Sequence, residues 1–256
     1  MSGCGDGVMT MTLHWPQIVW VILTLLGTGF EMCRLIIRTK KMTDRVSEFI
    51  AHVLWVVFMA WLLWCGGFFS QANAAEPPTA ALKYRSDVIR SARVDWGLNA
   101  PVADFAAQLH QESGWNPAAR SPVGAQGLAQ FMPSTADWIA GLMPHLATRE
   151  PYNPGWAIRA LVSYDRWLWQ RVVVPDGCER MAMTLSAYNG GLGWVNRDRR
   201  LARSRGLDDT RWFGAVETVN AGRGVANWRE NRHYPQRILH ELAPRYLSWG
   251  GASCVG

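Results

Sequence analysis

Gln111-Glu112-Ser113-Gly114-Trp115-Asn116-Pro117, followed by Gly124-Ala125-Gln126-Gly127-Leu128-Ala129-Gln130-Phe131-Met132-Pro133, is the stretch on which the fold turns. It places one acidic residue at the end of a helix and a glycine-rich loop after it. Upstream, Val102, Phe105, Ala106 and Leu109 recur at i, i+3, i+4 and i+7, a helical stripe that faces a core. Glu112 lies one turn beyond Leu109 and continues that stripe, and Gly114 with Asn116-Pro117 stops the helix. A carboxyl aimed at an apolar wall, at the lip of a cleft, has its ionised form penalised and its pKa raised. A general acid working near neutral pH needs that shift. Taken alone, a glutamate near a helix end is more often a solvated residue. Its company decides.

Outward from this stretch the chain reads as helices joined by loops. Ser86-Asp87 opens a helix that ends near Gly97, and Pro101 to Ser113 is the helix carrying Glu112. Ser134 to Leu142 follows the glycine loop, with Asp137 as capping-box partner of Ser134. Asn153-Pro154 supplies an N-cap and an N1 proline to a helix bearing Trp156, Ala160, Leu161, Tyr164, Trp167 and Leu168. Those aromatics read as core, with a sugar platform as the alternative. Cys178 to Tyr188 leads into a tight turn at Gly190-Gly191, and Glu230 to Ser248 closes the chain. Asp165, inside the aromatic helix, reads as a salt-bridged structural residue, and His110 as structural too. Alternating strands and internal repeats are lacking, so the class is mainly α.

The 256 residues are 49% hydrophobic, but the apolar content is uneven. It concentrates in Trp15 to Phe30 and Phe49 to Phe69, the second run carrying no charge and including Trp55, Trp61 and Trp64. Between them lie Arg34, Arg38, Lys40, Lys41 and Arg45, and positive-inside bias puts this loop in the cytoplasm. Residues 1–69 therefore read as a membrane hairpin, or a signal anchor if only the second run inserts, and 70–78 as a linker. Both readings leave residues 79–256 outside the inner membrane, in the periplasm. Ala72-Asn73-Ala74 also fits a signal-peptidase site, which would release the domain after Ala74.

Beyond the linker the basic residues are arginine except Lys83, many of them between Arg197 and Arg237. They imply either attraction to an anionic cell wall or membrane surface, or merely a soluble basic face. Nucleic acid is not expected as a partner, since no binding motif accompanies the charge. Of five cysteines, Cys178 and Cys254 share the exported domain, where a disulfide is allowed. CxxC, HExxH and histidine clusters are missing, so neither a metal nor another cofactor is expected.

Glu112-Ser113, Gly127-Leu128-Ala129-Gln130, Ala187-Tyr188-Asn189-Gly190-Gly191 and Glu230-Asn231-Arg232-His233-Tyr234, in that order, resemble the motifs of soluble lytic transglycosylases. These relatives of goose-type lysozyme cleave the glycan strands of peptidoglycan. The resemblance covers Lys83 to Leu247. It implies a lysozyme-like catalytic domain over 79–256, preceded by one or two transmembrane helices. Carried over, Glu112 is the catalytic acid and base, protonating the glycosidic oxygen and then deprotonating the C6 hydroxyl of N-acetylmuramic acid to close a 1,6-anhydro ring. Ser113 would hydrogen-bond near the muramic acid, Gln130 would line the cleft, Tyr188 would hold Glu112, and Asn189 would contact an N-acetyl group. Glu230 and Tyr234 would close the other wall. Ala129 stands where the family commonly has Met, and Asn231 where it has Thr.

Glycosidases of the usual kind need two carboxylates. When the substrate's own hydroxyl attacks, the second is dispensable, because the nucleophile arrives already positioned. Residues Gly124 to Met132 hold no second acid. That favours transglycosylation over hydrolysis, with a lysozyme-type muramidase and an idle, holin-like membrane protein with a wall-binding domain as the alternatives. Trp64-Cys65-Gly66-Gly67-Phe68-Phe69 resembles small membrane proteins encoded near phage lysis genes. Trp228-Arg229-Glu230-Asn231 and Tyr234-Pro235 likewise resemble phage transglycosylases, which implies a role in host lysis.

Overall fold

The helix that carries Glu112 is buried on every side from Val102 to Leu109. The stripe predicted from the sequence is therefore too narrow. Ala103, Ala106 and Ala107 keep the remaining faces thin, so neighbouring helices approach closely, and even Asp104 and Gln108 are enclosed. The computed structural model describes Ile50, residues 53–55 and residues 76–254. The expected membrane hairpin and most of the linker lie outside the described residues. Among the described residues no helix is long and apolar enough to cross a membrane.

Past a single turn at Thr79–Leu82 come α1 (Arg85–Trp96), α2 (Val102–Ser113), α3 (Pro133–Leu142), α4 (Pro154–Arg171), α5 (Gly177–Gly190), α6 (Leu192–Ser204) and α7 (Val225–Gln236). Extended pairing among the described residues is limited to isolated bridges that tie Gln126 to Arg120 and Phe131 in the glycine loop. α2 runs through the middle, against α1, α4 and the C-terminal segment. The core is continuous, with Phe105, Leu109, Leu128, Ile139, Leu161, Leu168 and Met181 among its largest enclosed side chains.

Boundaries follow local chemistry. Asn153 caps α4, its side chain accepting from the backbone of Gly155 at 3.0 Å and Trp156 at 3.3 Å, with Pro154 at N1. Asp176 caps α5 by accepting from Glu179 N at 2.9 Å. The capping box predicted at Ser134 and Asp137 does not form. α3 starts one residue earlier at Pro133 without a side-chain cap, and Asp137 instead meets Arg149 at 2.7 Å. α6, which the sequence reading passed over, is strongly amphipathic but arginine-rich. The closing helix predicted from Glu230 to Ser248 begins earlier, at Val225, and is not uniform. Pro235 withholds a backbone donor, and the chain continues as a widened turn over Arg237–Leu242 and a tight 3₁₀ segment over Ala243–Trp249.

The C-terminal tail then returns to α2. Ala103 N donates to Gly251 O at 2.9 Å, Ser253 N donates to Asp104 Oδ2 at 2.9 Å, and Cys254 bonds to Cys178 at the start of α5. The bridge left open by the sequence is thus formed. It spans 76 residues, so replacing both cysteines by serine should lower unfolding stability by about 2–4 kcal/mol. Urea midpoints under non-reducing conditions measure this. A midpoint that does not move would mean the bridge contributes nothing.

Candidate active site

The end of α2 is held by its aromatic surroundings. Gly114 takes the left-handed conformation at φ 58°, as a helix-terminating glycine does, but Trp115 follows at φ 70°, where a bulky side chain is strained. Fully buried Trp115 is kept there by Tyr84, with near-parallel rings 5.9 Å apart, and by Trp249. Its Nε1 donates to the Tyr246 hydroxyl at 2.7 Å. An indole N–H only donates, so the Tyr246 hydroxyl passes its own hydrogen to His110 Nδ1, 2.8 Å away. His110 must accept, and burial with Arg245 and Arg237 nearby lowers its pKa accordingly. The structural role predicted for His110 is this clamp.

Opposite, the loop from Arg120 to Phe131 folds against Pro151. A side chain at Gly127 (φ 73°) would place its Cβ 1.7 Å from the Pro151 carbonyl oxygen, so only glycine fits. Gln130 is itself left-handed at φ 49°, and its Nε2 donates to Gly127 O at 2.8 Å and Ala119 O at 3.2 Å. Between this loop, α2, α5 and α7 lies a cleft of about 620 Å³, lined by Glu112, Gln130, Tyr188, Asn189, Glu230 and Tyr234 among others. Gln111, Tyr164 and His233 line it too and were not predicted. For Tyr164 the i, i+3, i+4 spacing was read as core, although its hydroxyl marked it as a residue suited to a wet wall.

Two predicted contacts are corrected. Ser113 is not brought into the cleft lining, because its hydroxyl turns back to Leu109 O at 3.4 Å within the helix. Tyr188 does line the cleft, but its hydroxyl donates to Ala129 O at 2.8 Å instead of Glu112. The phenol that donates to Glu112 Oε1 is Tyr234, from α7. The order of the motifs gave no means of telling the two tyrosines apart. Asn189 donates to Glu230 Oε1 at 3.4 Å and accepts from Asn231 Nδ2 at 2.9 Å.

Asn231 is buried and also bonds Ser186 Oγ and Ser186 O. Together these contacts seat α7 against α5 behind Asn189. A Cβ at Gly190 would come within 2.7 Å of Asn231 Nδ2 and 2.5 Å of Arg223 Nη1, so Gly190 is what admits them. Not all of the arginine excess forms a basic surface, because Arg223 and Arg232 are buried on Asp198 at 3.0 and 2.8 Å. This triad fixes the loop ahead of α7.

Burial raises the Glu112 carboxyl to about 8, the hydrogen bond from Tyr234 opposing the shift and the negative charge of Glu230 adding to it. Tyr188 and Tyr234 are pushed well above 10, first by burial and then by Glu112, and so remain phenols. Asp165 makes no salt bridge among the described residues, contrary to prediction. It is fully buried near Gln108, and burial, with Glu112 and Asp104 adding to it, pushes its pKa well above the usual carboxylate value. Among the described residues no cluster of His, Cys, Asp or Glu is arranged to hold a metal. A protonated, desolvated carboxyl in an open cleft can donate a proton and later take one back.

A phenol that donates to a carboxylate stabilises the charged form and lowers its pKa. Tyr234→Phe should therefore lift Glu112 above about 8 and shift the alkaline limb of the pH–rate profile upward. The rate should fall roughly 10- to 100-fold, about 1.4–2.7 kcal/mol, because the carboxyl loses its orientation. In Tyr188→Phe the limb should stay in place, since that hydroxyl lies on a backbone carbonyl. The opposite pattern in the two profiles would reverse the assignment.

Residues 95–211 match the transglycosylase SLT domain family. Among curated proteins, the chain is 32% identical over 183 residues to membrane-bound lytic murein transglycosylase F of Vibrio cholerae serotype O1, a match covering 64% of this chain and 32% of that protein. It is 35% identical over 133 residues to the protein of the same name from Shewanella halifaxensis, covering 51% of this chain and 25% of the relative. The 70 kDa soluble lytic transglycosylase of Escherichia coli is similar at a TM-score of 0.46 and 23% identity, over 67% of this chain and 25% of that one. The chain thus spans a third or less of the length of the curated relatives it matches. Glu112, Gln130, Tyr188 and Asn189 all lie inside residues 95–211, the stretch that is similar to the transglycosylase SLT domain family.

Proposed function

We propose that this protein is a peptidoglycan lytic transglycosylase cutting the β-1,4 bond between N-acetylmuramic acid and N-acetylglucosamine. The observation that carries the reading is Glu112, a carboxyl raised to about 8 by burial and held by Tyr234 in a cleft of about 620 Å³. The family match and the names of the relatives support it. Glu112 first protonates the glycosidic oxygen. As a carboxylate it then removes the proton from the C6 hydroxyl of the same muramic acid, and that oxygen closes on C1. No water is consumed, and the product carries a 1,6-anhydro end. Gln130, Asn189 and Glu230 line the path of the strand and are assigned to binding it. Tyr188 forms the wall behind it, and Ser113 acts only at a distance.

A second reading has one observation in its favour. Glu230 is exposed in the same cleft and is a charge that Glu112 senses, so it is placed to activate water in a lysozyme-type hydrolysis. Sacculi digested with the protein separate the two by mass spectrometry. Anhydro ends are expected; reducing ends would transfer the assignment to hydrolysis. Glu112→Gln should bind glycan but lose turnover by about 10³-fold or more, since acid and base are removed together. Undiminished digestion by that variant would end both readings.

The enzyme is further assigned to the inner membrane, tethered by the hairpin of residues 1–69 with its catalytic domain in the periplasm, and to host lysis of the phage type. The arginine and lysine residues between the two apolar runs support the orientation, and the relatives' names include "membrane-bound". Alkaline phosphatase fused after Pro78 should be active. Activity only from a fusion within the Arg34–Arg45 loop would invert the topology.

A further inference from the structure

Beside the cleft, α3 and α4 bring Trp138, Tyr164 and Trp167 into one aromatic cluster. The Trp138 and Trp167 rings meet edge-on, with centroids 5.0 Å apart and planes at 84°, and Trp138 meets Tyr164 at 5.7 Å and 75°. Arg171 lies 3.5 Å over the Trp167 ring and donates to the Trp167 carbonyl at 2.9 Å, so that ring is held by a further contact. Although its edges are fixed, Trp138 is 43% exposed. A depression of about 300 Å³ opens over the cluster, bordered by Ser134, Thr135 and Leu192 as well as the three rings. Thr135 and Tyr164 also line the cleft, so the depression continues it along one flank.

An indole held rigid and left half in water leaves apolar surface uncovered, and a rigid ring loses little entropy on contact. Ser134, Thr135 and Tyr164, each bearing a hydroxyl, border the same depression. A pyranose ring has the complementary form, with a face of C–H bonds to lay on an aromatic and a rim of hydroxyls to bond a polar border. An apolar helix from a partner protein fits less well, because the depression is small and hydroxyl-bearing residues interrupt its border. We propose that Trp138, backed by Trp167, is a saccharide-binding shelf that takes a sugar of the glycan strand beyond those held in the cleft. The inference rests on the glycan-cleaving reading above. The shelf lengthens the strand the enzyme grips without touching the bond it breaks.

Calorimetric titration with chitooligosaccharides tests it in the Glu112→Gln background, where the ligand survives. Adding Trp138→Ala should weaken chitohexaose binding about tenfold, the scale of one stacked ring, and leave N,N′-diacetylchitobiose unchanged. Trp138→Phe should recover part of the loss, because a ring remains. All variants should remain folded at the titration temperature, as melting curves check, since the Trp138 ring is 43% exposed. Hexaose affinity unaffected by Trp138→Ala overturns the shelf alone, and so does an equal loss for both lengths, which would place the effect in the cleft. A Glu112→Gln protein that binds neither oligomer, together with wild-type protein that leaves sacculi intact, overturns the glycan reading and the shelf with it.

Discussion

Placing a carboxyl where water is scarce but substrate can enter requires a helix end buried along its length and open at its last turn. Here that geometry depends on Trp115. Its left-handed backbone is unfavourable for a bulky residue, by about 1–3 kcal/mol as such conformations go, and it persists because Tyr84, Tyr246 and Trp249 surround the ring. The turn there follows directly on the end of α2, one residue past Glu112, which lines the cleft. Tyr246 carries the constraint back to His110, two residues before the acid. The C-terminal segment is therefore part of the active-site support, although it lies beyond the matched SLT region.

Features governed by local chemistry were legible in the sequence. The Asn153-Pro154 start of α4, the glycine stop of α2 and the acid at its end follow from rules acting over three or four residues. The ordered motifs placed Gln130, Tyr188, Asn189, Glu230 and Tyr234 around one cleft because the fold converges on it. What failed depended on distance. Which of two tyrosines reaches Glu112 is set by the approach of α7, more than a hundred residues away in the chain. The raised pKa of Asp165 reflects how α2 and α4 pack, which α4's own aromatic pattern does not encode. The Trp138 cluster, divided between α3 and α4, has no period in the sequence at all.

Asn231 and Gly190 illustrate coupled choices. Asn231 makes several hydrogen bonds at the junction of α5 and α7. Its space exists only because Gly190 has no side chain. The same gap admits Arg223, which with Arg232 neutralises Asp198 in the interior. Buried ions carry a desolvation cost, and removing one partner strands the others. The loop ahead of α7, and through it the wall bearing Glu230 and Tyr234, is thus held by charge where the rest of the domain is held by apolar packing.

The elevated Glu112 carboxyl couples folding to protons. An unfolded glutamate loses its proton near 4.5, but the folded one keeps it until about 8. Between those values the native state binds more protons than the unfolded chain. The contribution of Glu112 to stability is then fully present below 4.5 and is lost as pH rises through about 8. Above that point the native fold holds an unwelcome charge in the cleft, and the aromatic clamp and the Cys178–Cys254 bridge must carry it. Protonation of Glu112 therefore does two things at once, readying the group to donate and favouring the folded state.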